Sequence, residues 1–211
     1  MSIFQKLVST VVNAFGSASS SHENTNKDRI LKLSKQHTAE SITEIGGIIN
    51  TTPNLIPYGF EQLAQLPSKT APDIIHSTLS NHPEYLEQGF IAINQMPTGQ
   101  LSSFTVDYAH QHPEHIPQVM AALSSMNDYG AYFAFQDLRE EFPDHELIAI
   151  LEFDNMQETW AQNRIKALKI IEQQGLITMD GDTLTGIKFK TLGDNKSKSE
   201  QDDLDTLGLD G

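Results

Sequence analysis

Histidines 110, 112 and 115, in the segment HQHPEH, are the densest group of histidines in the sequence. A transition-metal site needs several such donors converging on one point at fixed distances. Pro113 starts a helix between His110 and His115, which sets those two apart, and no fourth ligand is evident. His82 and His112 also share one position of an internal repeat, so a role at a helix entry explains both. No metal and no cofactor are therefore expected, with weak transition-metal binding by the three histidines as the alternative. A second group, Asp137, Glu140, Glu141, Asp144 and Glu146, crowds one stretch of chain. Two carboxylates can serve as general acid and base only in a cleft that drives their pKa values apart. Such a run is more simply a solvated face. Asp180-Gly181-Asp182 lacks the ligand spacing of a calcium loop and reads as a hairpin turn.

Other reaction chemistries lack their residues. There is no cysteine, which removes thiol nucleophiles, cysteine-based zinc sites and disulfides, and points to a reducing, cytoplasmic setting. No phosphate-cradling glycine loop, GxSxG elbow or HExxH pair is present. The expectation is a binding protein, not an enzyme. An enzyme working through the acidic stretch or the histidines is the alternative, and it requires Asp137, Glu141 and His110 to converge inside a pocket.

Charge indicates what could be bound. The net charge is −14, and residues 40–156 account for it alone, with 16 acidic side chains against Lys69 and Arg139. Such a field repels nucleic-acid phosphates and anionic lipid and attracts basic proteins. Arg164, Lys166, Lys169, Lys188 and Lys190 are the only support for nucleic-acid binding, and residues 157–190 still carry a net of only +1. No run of apolar residues reaches the roughly 20 needed to span a bilayer.

The elements that hold these groups show a period. Pro53, Pro83, Pro113 and Pro143 are 30 residues apart; Pro57 and Pro117 share a second phase, Pro67 and Pro97 a third. Self-similarity at such a spacing marks stacked supersecondary units. The columns Phe60/Phe90/Met120/Ile150, Leu63/Ile93/Leu123/Phe153 and Leu66/Met96/Met126/Met156 lie three residues apart, as on one helical face. They predict a helix A over 53–66, 83–96, 113–126 and 143–156, with proline at its start and Thr52 as a good N-cap. The methionines of the third column are core packing on this reading. A helix B follows over 41–50, 71–81, 101–111 and 131–141, carrying Ile45/Ile75/Thr105/Phe135 and Ile48/Thr78/Tyr108/Leu138. Helix pairs without strands between them predict an all-α fold, an α-solenoid of about four units. In unit length it resembles the short HEAT-like class, across residues 40–156.

The ends depart from the period. Residues 1–15 read as an amphipathic helix able to dock on protein or touch a membrane peripherally through residues 3–15, with a signal peptide as the rival. Residues 16–27 read as a flexible linker, and 28–37 as an N-terminal cap opening a repeat domain over 28–156. Within 157–190, residues 157–174 predict a helix with Trp160, Ile165, Leu168 and Ile171 inward, ended by Gly175. LITMDGDTLTGIKF then alternates across an Asp180-Gly181 turn, a hairpin. A helix followed by a hairpin resembles the end of a winged-helix domain; a cap on the last unit is the simpler reading. Residues 191–211 read as an acidic disordered tail.

The functional expectation is an acidic helical-repeat module for a basic protein or peptide, in an adaptor, inhibitor or immunity-type role, with no nucleic-acid partner. Its binding surface is expected on helix B, on the outward columns Ser77/Asp107/Asp137 and Ser80/His110/Glu140, together with Glu141. A regulator with a winged-helix-like C-terminus is a further alternative.

Overall fold

The computed structural model describes residues 22–97, 100–126, 128–149 and 156–189. The chain is mostly helical with one small antiparallel sheet. Helix α1 covers residues 22–34. It is followed by α2 (Ala39–Thr51), α3 (Ile56–Ala64), α4 (Thr70–Asn81), α5 (Leu86–Gln95), α6 (Leu101–Gln111), α7 (Ile116–Ser125), α8 (Tyr129–Glu141), the short α9 (Glu146–Ala149) and α10 (Met156–Gln173). Strands β1 (Ile177–Asp180) and β2 (Thr183–Ile187) close the described chain. The readings for residues 1–21 and 190–211, and for Ile150 and Phe153, lie outside the described residues.

The apolar columns are the core. Phe60, Phe90 and Met120, with Leu63, Ile93 and Leu123, are all buried, as are Ile45, Ile75, Thr105 and Phe135 in the partner helices. Met96 and Met126 are buried with them, as their phase predicts. Helix α2 packs along α4 and α6 along α8, while α3, α5 and α7 pack in series. Polar side chains connect the same row. Asn50 Nδ2 donates to the buried Thr78 Oγ1 at 3.1 Å, and Asn81 Nδ2 to Asn50 Oδ1 at 3.5 Å. Ser80 Oγ lies 3.0 Å from His112 Nε2, and His110 Nε2 lies 2.9 Å from Glu141 Oε1.

Several local expectations change. The 3-10 turns Pro53–Leu55, Pro83–Tyr85 and Pro113–His115 precede α3, α5 and α7, so proline opens a tighter turn before each α-helix. Thr52 makes no side-chain cap there. Its hydroxyl instead accepts from Asn26 Nδ2 at 3.3 Å, because α1 begins earlier than the linker reading allowed: residues 22–27 are helical. Pro143 lies in a turn, not at a helix start, and α9 spans only Glu146–Ala149. In α10, Trp160, Leu168 and Ile171 are buried, but Ile165 is only partly so and Ala167 takes the inward place. Trp160 stands edge-on to Tyr132 and Phe135 of α8.

Gly175, at φ 74°, ends α10. The hairpin turn is Gly181-Asp182, one residue beyond the expected pair, because Asp180 and Thr183 are already cross-strand partners. Gly181 takes the positive φ that such a tight turn needs. The hairpin packs against α7, and Gln118 Nε2 donates to the Lys188 carbonyl at 3.1 Å. Among the described residues, no helix is long and apolar enough to cross a membrane.

Candidate functional site

The spacing between helices in the α2–α4–α6–α8 row is uneven. Gly46 lets α2 approach α4 closely: a Cβ there would come within 2.8 Å of Ile74 Cγ2. Helix α8 buries the small Ala131 and Ala134. Between α4 and α6 the side chains are large instead. His76 stands edge-on to Phe104 and Tyr108, with ring centroids 5.7 and 5.5 Å apart, and Phe104 in turn meets Phe90 edge-on at 5.6 Å. These rings hold α4 and α6 apart, so the two helices touch much less than their neighbours do. The gap is an open groove of about 310 Å³, whose walls include Asp73, His76, Ser77, Phe104, Asp107 and Gln111.

The groove is acidic. Asp73 and Asp107 are exposed on opposite walls, and among the described residues neither forms a salt bridge. His76 does not offset them. Burial, and then the neighbouring His112, lower its pKa below the usual 6.5, outweighing the opposite pull of Asp107 and Asp73. It is therefore mainly neutral at pH 7 and brings no cation to the groove. Its Nε2 is buried with no hydrogen-bond partner.

A second cluster adjoins the groove at the end of α6. His112 and His115 stack with centroids 5.4 Å apart and rings inclined by 14°. Tyr108 packs between them and the core, with its hydroxyl 3.1 Å from His115 Nδ1. Burial, and then Glu114, push the Tyr108 pKa up, so the phenol stays protonated. Burial likewise holds His115 below the usual imidazole range, against the pull of Glu114. Phe189, just beyond β2, closes the cluster edge-on to His115 at 5.0 Å.

No family model matches the chain, and the same holds for curated proteins and for solved structures. Its function therefore has to be argued from its own side chains.

The six residues expected on the binding surface fall into three places. Ser77 and Asp107 meet across the groove. His110 and Glu141 pair with each other, about half exposed each, which ties α6 to α8. Asp137 and Glu140 are exposed on α8, and Asp137 makes no side-chain hydrogen bond or ion pair among the described residues. Of the trio the enzyme alternative requires, the structure joins His110 and Glu141 at the surface and leaves Asp137 outside that pair. Sequence reasoning missed Asp73, His76 and Phe104. The available signal was bulk: His76 stands one repeat after Gly46, and Phe104 one repeat before Ala134.

Proposed function

We propose that the chain is an acidic α-solenoid, HEAT-like in outline, that binds a basic peptide or basic protein face by seating a lysine or arginine in the α4–α6 groove. The groove carries this reading: two carboxylates without a salt bridge face each other over an aromatic floor, in a segment of net charge −14. A cation entering it meets the Asp73 and Asp107 carboxylates, with the rings of Phe104 and neutral His76 in the same lining. Cation–π contact adds roughly 0.5–2 kcal/mol, depending on desolvation. The stem of a long basic side chain is covered at the same time. Adaptor, inhibitor and immunity-type roles all use this chemistry, and the absence of cysteine favours a cytoplasmic setting.

Three labelled peptides of equal length, arginine-rich, neutral and glutamate-rich, test the reading by fluorescence anisotropy. The arginine peptide should bind saturably. Its association rate should fall as salt is raised from about 0.05 to about 0.5 M, because the Debye length contracts to less than half. Equal binding of the glutamate peptide would overturn the proposal.

A further inference from the structure

The cluster at the end of α6 has the geometry of a metal site. His112 Nδ1 and His115 Nε2 each lie 3.7 Å from the same oxygen, Glu114 Oε1. One donor atom from each of the three residues lies within 4.8 Å of the other two. Donors bound to zinc at roughly 2.0–2.1 Å in a tetrahedron stand roughly 3.3 Å apart. Closing the remaining distance needs Glu114, whose side chain is 63% exposed, and the two imidazoles to draw inward by a small rotation each.

The far side of each imidazole is also held. His112 Nε2 lies 3.0 Å from Ser80 Oγ, and His115 Nδ1 lies 3.1 Å from Tyr108 Oη. Metal-bound histidines characteristically anchor the nitrogen that does not bind the ion, which fixes ring orientation and tautomer. Here both remote nitrogens are anchored, and both inner nitrogens are left facing one carboxylate. The two histidine side chains are mostly buried, at 20% and 18% exposure, while Glu114 opens to solvent. The 3-10 turn that begins at Pro113 brings His112 and His115 together. His110, the third histidine of the segment, is spent on Glu141.

We propose that His112, Glu114 and His115 bind one divalent transition ion of the zinc, cobalt or nickel type, with solvent completing the coordination. Two imidazoles and one carboxylate suit these ions better than magnesium or calcium, which prefer oxygen donors throughout. The site stands beside the groove, with the His76 and His112 rings 6.4 Å apart, and its residues are not among those proposed to seat the cation.

Titration of the full chain with Co²⁺, read by calorimetry and by visible absorption, tests this. One ion should bind per chain, with an absorption band reporting nitrogen ligation. Glu114→Gln changes an exposed side chain and should weaken binding at least tenfold with an unchanged circular dichroism spectrum. His112→Gln should abolish the band. Tyr108→Phe, which keeps the ring and removes only the anchor of His115, should weaken binding by about 10-fold. His110→Ala should change nothing. No Co²⁺ binding by the unaltered chain, or binding that Glu114→Gln and His112→Gln leave intact, would overturn the proposal. Should His112→Gln fail to fold, Glu114→Gln and Tyr108→Phe decide the matter.

Discussion

Gly59→Val should cost about 1–3 kcal/mol of stability, and the double variant with Ile49→Ala should lose clearly less than the two single costs added together. A Cβ at position 59 would overlap Ile49 Cγ2, so a side chain there forces α2 and α3 apart. The next unit repeats the arrangement, with a Cβ at Gly89 falling 2.7 Å from Leu79 Cδ1. The third unit reverses it. The equivalents of Ile49 and Gly59 are Ala109 and Val119, and both are fully buried. The small residue has moved to the other helix, and the large one with it. Ile49→Ala alone should leave a cavity and cost about 2–5 kcal/mol. If the units share one packing scheme, the double variant adopts the third unit's solution inside the first. Urea unfolding of the four proteins gives the coupling, expected near 2 kcal/mol in the restoring direction. Costs that simply add would mean that positions 49 and 59 do not share space as 109 and 119 do.

Charge reversal in the groove should have the largest effect on binding. Asp73→Lys with Asp107→Lys should weaken a basic peptide by about 100-fold, since each wall changes from attraction to repulsion. Asp137→Lys with Glu140→Lys makes the same change in net charge on the exposed face of α8. It should cost about tenfold at most, because those charges act only through a screened field. Anisotropy titration of both double variants measures the difference. Equal losses would show that net charge alone governs binding and that the groove has no part in it.

Most of the helical framework was legible because it rests on periodic burial. The phases of Phe60, Phe90 and Met120, and of Ile45, Ile75 and Thr105, placed both core faces without any knowledge of contacts. Proline marked the start of the first three helix A regions, but its tight 3-10 turn was not foreseen, because proline satisfies both geometries with the same φ. The start of α1 was hidden by composition. Residues 22–27 are polar and read as linker, yet Asn26 is tied to Thr52 and Arg29 Nε donates to Glu44 at 2.8 Å across the helices. The groove was half visible. Ser77 and Asp107 followed from the outward phase of helix B, whereas the gap between their helices depends on how His76 and Phe104 pack, which periodicity does not encode. Chain spacing set His110 apart from His115, and His110 does pair with Glu141; that His112 and His115 share one carboxylate follows from the turn at Pro113, which periodicity does not encode.

The most direct test of the central claim is a ¹⁵N–¹H NMR titration of the full chain with the arginine-rich peptide. Groove binding predicts saturating shifts concentrated at residues 73–77 of α4 and 100–111 of α6, with the Phe104 and His76 ring signals moving at the same peptide concentration. Shifts confined to α8, α10 or the hairpin, with α4 and α6 unmoved at saturation, would contradict it.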